Sequence, residues 1–141
     1  MLTYNGANAL LAMLAGTANN YTYSSVYVGL STTAPDRTGG GFTEPDANAG
    51  YARQLIGRSG SGTVDSSTRK MNNPDMGATT NKNIIYFPEA TDSWGTCTHF
   101  LIFSAEKDGV LIAYGPLTDE ISPVAGTVPI IRVGDLTMSI S

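Results

Sequence analysis

The chain has 141 residues, of which 41% are hydrophobic and 14% charged, and a formal net charge of −4. This length suits one domain whose hydrophobic core needs no metal or disulfide support, and the apolar runs are far shorter than the roughly 18 residues of a membrane span. The 8 basic residues are scattered rather than gathered into a stripe, so nucleic acid is not an expected partner.

The first predicted element is a short amphipathic helix over residues 1–17. Thr3 or Asn5 can cap its start. The segment lacks the basic opening of a secretion signal, so we expect it to stay in the folded protein. Its apolar residues recur at helical spacing: Ala7, Leu10, Leu11 and Leu14. The helix either covers one end of a sheet or grips a neighbouring subunit, which makes Leu10 and Leu14 candidate partner contacts.

After the helix the hydrophobic period changes to two. In the stretch SSVYVGLST, Val26, Val28 and Leu30 point to one side and the residues between them to the other, as in a strand with one buried face. Similar short strands are predicted at YARQLIG, NIIYFPE, CTHFLIFS, GVLIAYG, VPIIRVG and LTMSIS. Turn signals separate them, and no helical pattern intervenes. The predicted fold is mainly β, an antiparallel β-sandwich or jelly roll with one short N-terminal helix, in a single domain over residues 1–141.

Two long segments, residues 32–50 and 57–82, interrupt this regular spacing of strands. Both are rich in glycine and polar residues, and loops longer than about 12 to 15 residues in a compact domain usually carry a function or are disordered. The second segment offers little apolar surface, so we expect it to become ordered only against a neighbour. It contains Arg58, Arg69 and Lys70, which are candidate partner contacts suited to acidic groups.

Residues that suggest catalysis are few. Cys97 and His99 lie two apart on a predicted strand and share a face, but side chains so placed are about 7 Å apart, too far for a thiol and its base. One histidine and one cysteine cannot supply the three or four ligands of a zinc site, nor can a single cysteine form an internal disulfide. We therefore predict a chain that is not an enzyme, binds no cofactor and folds in a reducing cytoplasm.

A cation site and a glycan site stay open as alternatives. Glu44, Asp46 and Asn48 alternate in the stretch EPDANAG, and oxygen ligands at that spacing can bind calcium, although turn formation explains the same residues. Tyrosines near the first strand could stack on a saccharide: Tyr21, Tyr23 and Tyr27. Tyrosine is also common in ordinary strands and at protein interfaces, and these roles are favoured over glycan stacking.

Four stretches occur in order between Val26 and Leu117: VYVGLSTTAPD, TEPDANAGYAR, IYFPEATDSWGTCTHFLIFS and GVLIAYGPL. With these stretches the chain resembles a family of small bacteriophage virion proteins, described as tail-fibre-like or minor structural proteins. The most specific block runs from Phe87 to Phe103. The family offers no catalytic residues that could be assigned to this chain. The second long loop, residues 57–82, is more extended and polar than we expect for the family.

The resemblance implies a protein of the virion, made in the cytoplasm of the host bacterium, whose partners are other virion proteins. A compact module without heptads or fibrous repeats suits a capsid decoration or cement protein, and we favour that role. The alternative is a tail-fibre, tail-tip or tail-adaptor component, with host-surface glycan binding as a further option. The low charge favours a homo-oligomer in contact with the major capsid protein or with tail proteins.

Overall fold

The structure is a computed structural model that describes residues 1–8, 25–58, 78–81 and 83–139. Within these ranges there are eight strands: β1 Ser25–Ser31, β2 Gln54–Arg58, β3 Ala78–Thr80, β4 Ile85–Tyr86, β5 Cys97–Phe103, β6 Leu111–Ile121, β7 Ile130–Ile131 and β8 Thr137–Ser139. A 3-10 helix, Ala47–Ala49, precedes β2, and residues 4–8 are helical. Four predicted partner contacts lie outside the described residues: Leu10, Leu14, Arg69 and Lys70.

The strands form one main sheet and two ribbons. The main sheet has the order β2-β1-β5-β6, and the ribbons pair β3 with β8 and β4 with β7. All of these pairings are antiparallel. The β5–β6 hairpin turns through Asp108 and Gly109, which both have positive φ. The prediction of a mainly β, antiparallel, sandwich-like fold is confirmed.

The larger hydrophobic core joins the main sheet to the β4–β7 ribbon. Its buried members include Val28, Leu30, Phe100 and Ile102 of the sheet and Ile85, Phe87 and Ile131 of the ribbon and its flank. Trp94 lies at one side of this core, where its indole N–H donates to the carbonyl of Ala49 at 2.8 Å and its ring meets Tyr51 edge-on. Trp94 thereby fixes the segment before β2 against the core.

The other face of the main sheet is also covered. A second buried cluster lies there: Leu101, Phe103 and Leu111, with Phe42 packed against it. Gly29 and Ser31 of β1 are buried as well, because the Tyr51 hydroxyl lies over Gly29 and Ser31 Oγ accepts the N–H groups of Thr33 and Thr43. The prediction of a single buried face on β1 is therefore wrong, since a folded loop covers the second face.

The N-terminal segment docks on the outer edge of β6. Leu2 pairs with Ala113, and the N–H of Thr3 donates to the carbonyl of Ile112 at 2.9 Å. Thr3 Oγ1 accepts the N–H of Gly6 at 3.1 Å and so caps the helical turn that follows, as the sequence predicts. A Cβ at Gly6 would collide with the carbonyl oxygen of Ile112, so only glycine permits this close approach.

The first long loop, residues 32–50, is ordered by its own polar side chains. Asp36 accepts the N–H groups of Thr38 at 2.9 Å and Gly40 at 3.2 Å, a turn in which the side chain replaces a backbone acceptor. The hydrogen bond from the Thr38 hydroxyl lowers the pKa of Asp36. The loop is thus a folded cover for the main sheet.

The second predicted loop, residues 57–82, has narrower bounds in the structure. β2 continues to Arg58, and β3 begins at Ala78 because it finds a pairing partner in β8. Asn81 follows β3 and is fully buried. Its amide accepts the N–H of Leu136 at 3.1 Å and donates to the carbonyl of Arg132 at 2.9 Å, which fixes the turn after β7.

Candidate functional site

The β4–β7 ribbon has one buried face and one exposed face. Ile85 pairs with Ile131 and Tyr86 with Ile130. Ile85 and Ile131 are buried in the core, so the alternation of a strand directs Tyr86 and Ile130 outward. The same alternation places Ile84 and Val128 on the outward side. These four residues, Ile84, Tyr86, Val128 and Ile130, are called the ribbon face below.

The ribbon face is an exposed apolar surface on a rigid support. Tyr86 is 61% exposed, Val128 51% and Ile84 37%, while Ile130 is half-buried. Scattered apolar residues are normal on a surface, but several on one side of a strand pair are typical of an interaction site. Tyrosine is also among the residues that carry most binding energy at protein interfaces. The composition of the ribbon face therefore suits contact with another protein.

A groove runs beside the ribbon face, between β7 and the end of β6. It has a volume of about 570 Å³. Leu117, Ile121 and Ile131 contribute apolar lining, and the charged lining residues are Asp119, Glu120, Arg132 and Asp135. Asp119, Glu120 and Arg132 are exposed, and no ion pair joins them to one another within the described residues. This edge groove therefore offers three carboxylates and one guanidinium to a partner.

The shape of β6 creates the acidic wall of the edge groove. The register with β5 pairs His99 with Pro116 and then Cys97 with Ile121, so residues 117–120 bulge out of the ladder. A proline and adjacent carboxylates on an edge strand are typical devices against unwanted strand pairing. The wall is thus protected from indiscriminate association but stays open to a partner of complementary charge.

A second charged region, the Arg53 cluster of Arg53, Glu44 and Tyr51, lies beside a groove of about 390 Å³ and is held together by internal hydrogen bonds. The Arg53 guanidinium pairs with both carboxylate oxygens of Glu44, each at 2.8 Å. It also donates to the carbonyls of Ala105 at 3.0 Å and Asp108 at 2.7 Å. The cluster therefore fixes the β5–β6 turn against the segment before β2.

The Arg53 cluster also includes a cation–π contact and a buried phenol. Its guanidinium carbon lies 3.3 Å from the centroid of the Phe103 ring, a close cation–π contact. Tyr51 donates to Glu44 at 2.6 Å and accepts the N–H of Leu30 at 3.1 Å. Burial and the neighbouring Glu44 carboxylate raise the pKa of Tyr51 well above its usual range. The hydrogen bonds of the cluster thus join segments of the same chain that are distant in sequence.

The predicted cation ligands are engaged in other contacts. The carboxylate of Glu44 is occupied by Arg53, and Asp46 caps the 3-10 helix by accepting the N–H of Asn48 at 2.9 Å. The backbone carbonyl of Asn48 accepts a hydrogen bond from the Thr91 hydroxyl at 3.3 Å. Turn formation thus accounts for Asp46, and the ion pair with Arg53 accounts for Glu44. In the ranges that the structure describes, no group of three His, Cys, Asp or Glu residues is placed to hold a metal ion.

Cys97 and His99 lie on β5 in different environments. Cys97 is fully buried in the core, and burial raises the pKa of its thiol to about 11, which keeps it protonated at neutral pH. His99 is half-buried, and its Nδ1 lies 2.8 Å from the Thr98 hydroxyl. The β-bulge between Cys97 and His99 also disturbs their common face. Nothing in this geometry activates the thiol.

Sequence reasoning did not single out the ribbon face or the edge groove. Of the predicted partner contacts, only Arg58 falls in a described strand, at the end of β2. The signal for the ribbon face was present in NIIYFPE and VPIIRVG, which are apolar on both sides of the strand alternation. Such stretches suit strands buried on both faces equally well, so exposure could not be assigned without the pairing.

Comparison with known proteins places the chain in a family. The search of curated proteins found no match to the chain. No helix in the part of the chain that the structure describes is long and apolar enough to cross a membrane. The model of one family, described as podophage GP4 fiber I protein gp80, matches residues 1–139. The resemblance to tail-fibre-like phage virion proteins is thereby confirmed, and the chain belongs to the podophage GP4 fiber I protein gp80 family of phage virion structural proteins.

Proposed function

We propose that the chain is a structural subunit of a phage fibre and that it binds a neighbouring virion protein through the ribbon face. The family match over residues 1–139 carries the proposal, because its description names a fibre protein. The ribbon face supports it with a surface suited to assembly. The fibre role replaces the capsid decoration role as our preferred hypothesis, and decoration becomes an outcome of the test below.

The energetics of the ribbon face fit a specific contact. Burying a large apolar side chain contributes about 1.5–3 kcal/mol, and the ribbon face presents Tyr86, Val128 and Ile84 together. Because the inward residues of the same strands lie in the core, these side chains are held on a rigid surface. A rigid surface loses little conformational entropy on binding, so more of the apolar contact is retained as affinity.

The proposed role is structural rather than catalytic. The two groups that suggested chemistry are a buried, protonated thiol and a histidine next to a threonine hydroxyl. The hydrogen bonds of the Arg53 cluster run within the chain and fix the fold. Turnover of a glycan or peptide that is abolished in the Cys97→Ala or His99→Ala variant would contradict this proposal.

Localisation on the particle tests the fibre role directly. Antibody labelling of purified virions, with quantification of copies per particle, is expected to place the chain on the fibres, in numbers that match the other fibre subunits. Labelling spread over the head, with a copy number close to that of the major capsid protein, would instead establish decoration. Sedimentation of the isolated chain tests the predicted homo-oligomer in the same preparation, and a monomer at all concentrations would contradict it.

A variant of the ribbon face tests the binding role. Tyr86→Ser is expected to remove the chain from assembled particles while the free protein stays folded. Tyr4→Ser is the matched control, because Tyr4 is 56% exposed but lies outside the ribbon face. Incorporation measured by mass spectrometry of purified particles should fall for the first variant only. Equal incorporation of both variants would refute the ribbon face as the contact surface.

A further inference from the structure

One backbone edge of β7 faces the edge groove. Phe87 donates its N–H to the carbonyl of Pro129 at 2.9 Å, so these two residues form a hydrogen-bonded pair. In an antiparallel ladder such pairs alternate with non-bonded ones, which makes Ile85 and Ile131 the next hydrogen-bonded pair. The N–H and C=O of Ile130, between them, therefore point away from β4. Among the described residues no further strand pairs with this edge.

The edge groove is long enough for a short extended strand. Residues 127–132 line it on one side, a length of about 20 Å in extended conformation. Leu117 and Ile131 supply buried apolar lining for side chains that alternate inward. Asp119 and Glu120 stand exposed on the opposite wall. The groove thus combines a backbone edge, an apolar floor and a wall of negative charge.

We propose that the edge groove binds an extended segment of another virion protein, which adds to β7 as a strand and directs a basic side chain toward Asp119 and Glu120. The inference rests on the proposed function, since it identifies the partner of that assembly surface by its chemistry. Main-chain hydrogen bonds to an exposed edge supply affinity in this mode of recognition, and the side-chain positions supply specificity. The ribbon face next to the groove then extends the contact.

Charge favours a different protein over a second copy of this chain. The groove carries three carboxylates against one guanidinium, and the chain as a whole has a net charge of −4. Two acidic copies repel each other on approach, whereas a basic segment is attracted and held in register. A saccharide makes poor use of the β7 edge, because it lacks the regular N–H and C=O spacing of a strand.

Synthetic peptides test the proposal on the isolated full chain. The probe is a short peptide of alternating valine and lysine, compared with one that has glutamate in place of lysine and with an N-methylated lysine peptide that cannot donate main-chain hydrogen bonds. We expect the lysine peptide to bind and to protect the Ile130 amide from hydrogen exchange. The glutamate and N-methylated peptides should bind at least about tenfold more weakly.

Variants of the groove test whether its carboxylates select the lysine peptide. Asp119→Asn with Glu120→Gln is expected to remove the preference for lysine over glutamate, while Glu106→Gln, an exposed carboxylate outside the groove, leaves it intact. An N-methylated peptide that binds as tightly as the parent, or an Ile130 amide whose exchange does not change, would overturn the proposal. The proposal would also be overturned if the chain associated with itself and thereby protected the Ile130 amide without any peptide. That result would assign the groove to a second copy of the chain.

The outcomes distinguish this inference from the proposed function. If the chain lies on the head but the lysine peptide still protects Ile130, the fibre role fails and the strand site stands. If antibody labelling places the chain on fibres and no peptide pairs with β7, the strand site fails and the fibre role stands.

Discussion

The Arg53 cluster and the edge groove are both charged, but they use their charges differently. In the Arg53 cluster the guanidinium meets a carboxylate and two backbone carbonyls within the same chain. In the edge groove Asp119, Glu120 and Arg132 are exposed and form no ion pair with one another. The first arrangement fixes the fold, and the second leaves charge for a partner.

The comparison shows why burial, rather than the presence of charge, separates the two roles. A buried charge must be matched internally, because an unpaired one is costly. An exposed charge contributes little to the stability of its own chain and is available for recognition. Substitutions should therefore reduce stability in the Arg53 cluster and reduce binding in the edge groove.

The largest expected effect comes from removing the guanidinium. Arg53→Met leaves the partly buried Glu44 carboxylate without its ion pair, and the free energy of unfolding should fall by about 3–5 kcal/mol. Urea unfolding of the isolated chain measures this. The double variant Arg53→Met with Glu44→Leu removes both charges and should recover part of the loss. If Arg53→Met were as stable as the parent, the Arg53–Glu44 ion pair would contribute as little to stability as an exposed surface ion pair.

A smaller loss is expected from filling the space under the Tyr51 hydroxyl. A Cβ at Gly29 would lie 2.5 Å from the Tyr51 hydroxyl oxygen and 3.0 Å from Glu44 Oε1. Gly29→Ala should therefore displace Tyr51 and cost about 1–3 kcal/mol of stability. Gly40→Ala is the control, because a Cβ at Gly40 would meet no atom closer than 3.7 Å. Gly126→Ala is unsuitable, because the positive φ of Gly126, +84, would itself strain an alanine. Equal thermal stability of the Gly29→Ala and Gly40→Ala variants would contradict the prediction.

Alkaline pH should weaken the core and the Arg53 cluster. Burial raises the pKa of Cys97 from 9.0 to about 11, and the pKa of Tyr51 is raised as well. A raised pKa contributes stability that is complete below the unfolded value and is lost as pH rises toward the folded one. Between pH 9 and 11 we therefore expect a loss of roughly 2 kcal/mol from Cys97. Cys97→Ala should flatten this part of the profile, and an unchanged slope would argue against a buried thiol.

The smallest effect on stability is expected at the ribbon face. Tyr86→Ser should change the free energy of unfolding by no more than about 0.5 kcal/mol, because Tyr86 is 61% exposed. The next residue provides the contrast, since Phe87 is buried and Phe87→Ser should cost about 3–5 kcal/mol. Denaturant unfolding of the two variants side by side is the measurement. Similar losses in both would mean that Tyr86 belongs to the core.

The sequence predicted the class of fold well because strand alternation is a local property. Val28 and Leu30 lie in the core as their spacing indicates, and Thr3 caps the first helical turn. The burial of Gly29 was missed because it depends on Tyr51, which reaches it only after residues 32–50 fold over the sheet. Burial by a distant segment leaves no periodic signal in the residues that it covers.

The interaction surface was harder to predict than the fold for a related reason. Ile84 and Ile85 have the same side chain, and only the pairing of β4 with β7 decides which one is exposed. The Arg53 cluster was equally hidden, since it joins residues as distant as Glu44 and Asp108. The predicted contacts Leu10, Leu14, Arg58, Arg69 and Lys70 stay predictions.

The continuity of β6 has a mechanical consequence. Its first half is hydrogen-bonded to β5 on one side and to Leu2 and Thr3 on the other, and its second half forms a wall of the edge groove. Ladder hydrogen bonds lie perpendicular to the strands, so a pull along β6 would load them in shear, many at once rather than one after another. Tension on a partner seated in the groove would therefore spread into the main sheet.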